Sequence, residues 1–132
     1  VAKTDRPAGG LLLDTHVFLW WRANSRRLKA PARRAIESAE IVFVSAATVW
    51  EVSIKVALGR LAIPDRIEAG VADSGFEELP IRFAHAALAG RLPRHHDDPF
   101  DRMLVAQATL ERLTIVTHDE RIRSYDVAFL WT

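Results

Sequence analysis

Four acids stand in this chain at places where a carboxylate can do chemistry. Asp14 closes the apolar run Leu11 to Leu13, and Asp119 follows the run Leu113 to Val116 after Thr117 and His118. Glu51 lies in the apolar-periodic segment Ala46 to Leu58, and Asp101 lies near the start of the segment Pro99 to Leu113. Each has a structural explanation as well. Asp is a favoured helix N-cap, which suits Asp14 and Asp119. Thr48 to Glu51 matches the S/T-x-x-E capping box, and Glu51 stands four residues before Lys55, a favourable helical ion pair. Asp101, three residues after Asp98, would favour the positive end of a helix dipole. Joint placement tips the balance towards chemistry. All four fall at strand ends or in early helix turns, which one α/β topology brings to a single edge of its sheet. Separate caps would not require that.

Carboxylates held close repel one another, so a cluster of four persists when cations neutralise it. The chain has no cysteine, which rules out thiolate ligands and points to Mg²⁺ or Mn²⁺ with oxygen donors. Two such ions about 4 Å apart activate a water and stabilise the leaving oxygen in phosphodiester cleavage. Phosphoryl chemistry is therefore expected. His95 and His96 adjoin two further acids, but neighbours in a loop rarely both face one ion. They are expected as surface loop residues, or as part of a basic rim with Arg91 and Arg94 that meets phosphate.

The elements that must position these acids can be read from patterning. Leu11 to Leu13, Ile41 to Val44 and Leu113 to Val116 are short continuous apolar runs of buried-strand type, with Phe76 to Leu79 and Val127 to Trp131 weaker candidates. Between them, Pro31 to Ala39 opens with proline at a first helical position, and Ala46 to Leu58 stops at Gly59. Pro99 to Leu113 is a helix that Asp98 caps. Strands alternating with helices imply a mostly parallel sheet covered on both faces. Asp14 and Asp119 then sit at strand carboxyl ends, where such sheets bind ligands.

The segments Leu11-Leu12-Leu13-Asp14-Thr15-His16, Ser45-Ala46-Ala47-Thr48-Val49-Trp50-Glu51, His95-His96-Asp97-Asp98-Pro99-Phe100-Asp101-Arg102 and Thr117-His118-Asp119-Glu120 resemble, in order and spacing, the PIN-domain nucleases. More narrowly they resemble VapC-type toxins of bacterial toxin–antitoxin pairs. The resemblance spans nearly the whole chain after Gly10, and Asp98 to Arg102 with the following Leu104 to Ala108 is its most specific part. It implies a PIN-like three-layer α/β/α fold with a mostly parallel central sheet. It implies that Asp14, Glu51, Asp101 and Asp119 form an acidic tetrad, with Asp14, Asp101 and Asp119 nearest the metal and Thr15 and Thr117 as supporting polar residues. It further implies endonucleolytic cleavage of RNA and a cognate antitoxin that blocks the site; separately, a homodimer is the expected assembly. Asp98 stays an N-cap in this reading.

Composition sets outer limits. The 132 residues, 49% of them apolar, suffice for one domain with a real core. Residues 11–132 are expected to form it, with 1–10 a flexible lead or a cloning remnant. Eighteen Lys and Arg against 17 acids leave a formal charge of +1, so overall charge does not announce a nucleic-acid binder. Locally, Arg22, Arg26, Arg27, Lys29, Arg33 and Arg34 make one positive stretch without an acid. The lack of cysteine fits a reducing cytoplasm, and no apolar run approaches the roughly 18 residues needed to span a bilayer. The run Val17 to Trp21 would point in all directions on a helix, so Phe18, Trp20 and Trp21 are expected at a partner interface.

Rival functions meet specific obstacles. A haloacid-dehalogenase-type phosphatase needs a second Asp two residues after the first, where this chain has His16. A phosphorylated receiver domain needs a late lysine, and the last one here is Lys55. A catalytically silent PIN-like binding module and a metal-dependent DNase or flap-type nuclease both stay open.

Overall fold

The computed structural model describes residues 10–132. The expected lead therefore lies outside the described residues except for Gly10, whose carbonyl accepts from the Thr114 N–H at 3.1 Å beside the sheet. Gly10 has φ +97°, and a Cβ there would come within 2.8 Å of the Ile41 carbonyl oxygen, so only glycine suits the position.

The elements run β1 (Leu11–Leu13), α1 (Thr15–Arg22), α2 (Ala30–Ser38), β2 (Val42–Ser45), α3 (Ala46–Ala57), α4 (Ile67–Asp73), β3 (Glu77–Leu79), α5 (Phe83–Arg91), α6 (Pro99–Glu111), β4 (Thr114–Thr117), α7 (Glu120–Arg123) and β5 (Phe129–Trp131). The five strands form one sheet in the order β3-β2-β1-β4-β5, and every pairing is parallel. The expected "mostly parallel" sheet is thus fully parallel.

Strand alternation explains the layers. Leu11 and Leu13 point to one face, where they join Val42, Val44 and Val116 in a cluster with Val17, Phe18, Ile36, Val52 and Val71 from the surrounding helices. Leu12 and Ile115 point to the other face and pack with Leu104, Val105, Ala108 and Ile122. A sheet covered on both faces must present apolar side chains both ways, which is why its strands read as unbroken apolar runs.

Two helices lie where no helix is expected from sequence. Both α4 and α5 lack the usual capping residues. At the start of α5 only the His85 ring serves, its Nδ1 accepting from the Arg82 N–H at 2.9 Å, and the alanine-rich face of the helix carries little hydrophobic contrast. Packing along α6 holds α5 in place.

The run Val17 to Trp21 does not present Phe18 to a partner. Phe18 is 1% exposed and sits in the first core cluster, edge-on to Phe76. The expectation for Phe18 is corrected: helices and the sheet of the same chain cover this side of α1. Trp21 is also partly used internally, its Nε1–H donating to Ser74 Oγ at 3.2 Å and its ring lying against Phe76. Trp20 instead lines an open groove of about 550 Å³ with His16, Arg22, Arg27, Leu61 and Ile63.

Candidate active site

In a parallel sheet all carboxyl ends share one edge. Here β2 and β4 flank β1 on opposite sides, which opens a crevice at the end of β1. Asp14 stands at that point and is 3% exposed. Its Oδ1 accepts from the Val17 N–H at 2.9 Å and so caps α1, while Oδ2 accepts from the Thr117 hydroxyl at 2.6 Å. Thr117 Oγ1 in turn accepts from the Asp119 N–H at 2.9 Å, which ties the ends of β1 and β4 together. Asp119 repeats the arrangement: Oδ1 caps α7 by accepting from the Arg121 N–H at 2.8 Å, leaving Oδ2 for the crevice.

Glu51 does not belong to a capping box. The N-cap of α3 is Ser45, whose Oγ accepts from the Ala47 N–H, so Thr48 and Glu51 lie inside the helix and are buried. Glu51 Oε1 accepts from the Thr15 hydroxyl at 2.7 Å, and Oε2 pairs with Lys55 Nζ at 2.8 Å. Thr15 Oγ1 also lies 3.3 Å from Thr48 Oγ1. Asp101 enters from the first turn of α6, whose N-cap is Asp98. Asp98 Oδ1 accepts from the Phe100 and Asp101 N–H groups.

The electrostatics follow from this crowding. Burial pushes the Asp14 carboxyl above its ordinary range, against hydrogen bonds that pull it down. Asp101 is pushed up to about 8, first by burial and then by the negative charges of Asp98, Asp14, Asp119 and Glu51. The other three predicted acids therefore all act on Asp101. Among the described residues, the only lysine or arginine ion-paired with any of the four is Lys55, on Glu51. Three clustered aspartates without a lysine or arginine partner fit a hard divalent ion.

One residue was misread. His96 is not a surface loop residue: it is 6% exposed, and its Nε2 lies 2.8 Å from Asp119 Oδ2 and 3.1 Å from Asp101 Oδ2. His96, Asp101 and Asp119 form the tightest group, with candidate ligand atoms all within 4.8 Å of one another. Asp14 and Glu51 are not part of that group. No local signal in the sequence marks this placement. The adjacent His95 instead meets Tyr125 edge-on, at 4.9 Å between ring centres.

Comparisons with known proteins bear on the fold and the family. The PIN domain family model matches residues 11–128. The chain is 35% identical over 124 residues to ribonuclease VapC22 of Mycobacterium tuberculosis (strain ATCC 25618 / H37Rv), covering 87% of this chain and 91% of that protein. Among solved structures it is similar to VapBC2 from Rickettsia felis bound to a DNA fragment from their promoter, with a TM-score of 0.68 at 11% identity over 92% of this chain and 97% of that one. It is similar also to FitAcB from Neisseria gonorrhoeae, with a TM-score of 0.63 at 26% identity, covering 91% and 96%.

Proposed function

This chain belongs to the PIN-domain family, and from that premise we propose that it is a Mg²⁺- or Mn²⁺-dependent endoribonuclease acting as the toxin of a toxin–antitoxin pair. The observation that carries the reading is the convergence of Asp14, Glu51, Asp101 and Asp119 at one sheet edge, with no lysine or arginine paired to the three aspartates among the described residues. Residues 11–132 make up the single nuclease domain.

Asp14, Asp101 and Asp119 would hold the ion. When bound, it supplies Lewis acidity towards a phosphodiester and its attacking water. The chain's own residues do the rest. Thr117 fixes the direction of the Asp14 carboxylate and the start of the Asp119 turn through one hydroxyl. Thr15 and Lys55 hold Glu51, which adds negative charge on the α3 side of the crevice. Helix N-termini behind Asp14 and Asp119 stabilise both carboxylates from the rear. RNA is favoured over DNA by the likeness to ribonuclease VapC22.

A cognate antitoxin is the partner we assign to the groove lined by Trp20 and His16. His16 is two residues from Asp14, and Trp20 lies 5.9 Å from the ring of His118 beside Asp119, so an occupant of the groove adjoins the site. A second copy of the chain is the further expected partner. The exposed stripe Trp50, Ile54 and Leu58, along α3 and its C-cap, supports it. Among the described residues no helix is long and apolar enough to cross a membrane, and work in the cytoplasm is part of the proposal.

The deciding experiment incubates the purified chain with single-stranded RNA and Mg²⁺ or Mn²⁺, with and without EDTA, alongside Asp14→Asn, Asp101→Asn and Asp98→Asn. Cleavage should require the ion and fall by roughly a hundredfold or more in the first two variants, as expected when a group acting on the transition state is removed. Asp98→Asn should stay within a few-fold, because Asn caps nearly as well as Asp. Cleavage that survives chelation would overturn the metal mechanism, and an Asp98→Asn variant as inactive as Asp101→Asn would overturn the cap assignment.

A further inference from the structure

The acidic tetrad leaves one buried side chain in the crevice without a role. The His96 imidazole is held at both ends. Its Nδ1 accepts from the Asp98 N–H at 3.1 Å, and its Nε2 faces Asp119 Oδ2 and Asp101 Oδ2. The hydrogen-bond network sets the tautomer. A ring nitrogen that accepts an N–H carries no proton of its own, so in the neutral ring the proton is on Nε2. That nitrogen is then a donor to Asp119 Oδ2, with Asp101 Oδ2 3.1 Å away, and its lone pair is not available to a metal.

The loop behind the ring is built to keep it there. The His96 N–H donates to Tyr125 Oη at 3.0 Å, and the Tyr125 hydroxyl donates to the Pro93 carbonyl. The Arg102 guanidinium donates to the carbonyls of Ala89, Leu92, Pro93 and His96. The two acids it faces come from different elements, the first turn of α6 and the start of α7, and like charge would drive them apart.

We propose that His96 is a positioning residue: its Nε2–H holds the Asp119 carboxylate beside that of Asp101 in the arrangement that receives the divalent ion, while the imidazole stays outside the coordination sphere. The inference rests on the metal-dependent reading above. It differs from the obvious alternative, in which a group of one histidine and two acids is itself the ligand set.

The test uses the full chain with Mn²⁺ as probe and two variants that separate the ring's two ends. His96→Gln keeps an N–H donor near the position of Nε2, whereas His96→Asn keeps an acceptor near Nδ1 and cannot reach the acids. Titration calorimetry with Mn²⁺ should show His96→Asn weakened by roughly 10- to 100-fold, the usual effect of losing a group that orients a ligand, with His96→Gln recovering most of the loss. On RNA, His96→Asn should lower kcat more than KM. Pulsed electron paramagnetic resonance of Mn²⁺ bound to the wild type should show no directly coordinated nitrogen. A coordinated histidine nitrogen overturns the proposal, as does wild-type affinity in His96→Asn or equal loss in a folded His96→Gln. If His96→Asn fails to fold, the wild-type resonance spectrum and the His96→Gln affinity decide between the same outcomes. A wild type that binds Mn²⁺ normally while His96 variants do likewise sinks only this inference, whereas a wild type that binds no Mn²⁺ sinks the metal-dependent reading and this inference with it.

Discussion

A carboxylate has two oxygens, and Asp14 and Asp119 use them for different purposes. One oxygen of each caps the following helix and the other faces the crevice. The capping and ligand readings are therefore compatible at these two residues, and the cap fixes the direction in which the second oxygen points. Asp101 caps no helix, and burial with four neighbouring carboxylates opposes its charge. In the metal-free fold it stays protonated up to about pH 8, whereas in the unfolded chain it loses its proton near 3.8. Between those values the folded state binds the extra proton, so Asp101's relative contribution to stability is complete below pH 4 and is lost as pH rises to 8. The slope is about 1.4 kcal/mol per pH unit while one proton separates the states. The groups facing it are Asp14, Glu51, Asp98, Asp119 and His96. Asp101→Asn should therefore melt higher than wild type in EDTA at pH 7 to 8, with the gap closing towards pH 4. Added Mg²⁺ or Mn²⁺ should stabilise the wild type more than the variant, by mass action on the native state. Scanning calorimetry across that pH range checks both. A gap that stays flat or changes sign would mean that Asp101 is not under this strain.

At the scale of elements, the start of α3 decides the role of Glu51. A helix beginning at Thr48 would turn Glu51 back onto its own N-terminus; beginning at Ser45, it carries Thr48 and Glu51 round to meet Thr15 on α1. Ser45 also donates to the buried Gln107 Oε1 at 2.5 Å, and Gln107 Nε2 donates to the Pro80 carbonyl at 3.1 Å. One hydroxyl thus caps α3 and joins it through α6 to the segment after β3. Ser45→Ala should lose about 1 kcal/mol for the cap and about 1–3 kcal/mol for the stranded glutamine oxygen. The exposed Ser53, whose hydroxyl only returns to the Val49 carbonyl, should tolerate alanine within about 0.5 kcal/mol. Urea unfolding of the two variants measures the difference. A Ser45→Ala cost no larger than that of Ser53→Ala would show that this junction contributes nothing to the fold.

At the scale of the molecule, the aromatic stretch of α1 divides between interior and surface. Phe18 floors the groove from within the core, and Trp20 stands in its wall. Phe18→Ala should cost about 3–5 kcal/mol of stability. Trp20→Ala should weaken the antitoxin complex by roughly tenfold or more, in the range of an aromatic hot spot, while leaving RNA cleavage by the free chain intact. Calorimetric binding together with a melting curve for each variant separates the two effects. Unchanged antitoxin affinity in a folded Trp20→Ala variant would remove the groove from the partner assignment. The basic stretch divides in a similar way: Arg22 pairs with Asp65 at 3.2 Å and Arg33 lies over the Trp21 ring, so part of its charge holds α1 against its neighbours.

Much of the site was legible in the linear chain. Apolar runs ending in Asp14 and Asp119, a proline-led helix behind Asp98, and carboxylates spaced to share a sheet edge are local signals, because strand burial and helix capping act over a few residues. The parallel sheet followed from the alternation of elements. The helices α4 and α5 did not show themselves, since short helices with weak caps are made by tertiary packing rather than by propensity. Nor could local pattern divide Phe18 from Trp20, whose difference in exposure depends on what α2, α4 and the sheet place against α1. His96 is the clearest case: nothing in its neighbours marks it as buried. Its place between Asp101 and Asp119 arises only when Arg102 and Tyr125 gather the loop before α6 and carry the ring to two acids, one of them 23 residues away in sequence. The residue types determined which chemistry was available, and the through-space contacts decided which side chains face it.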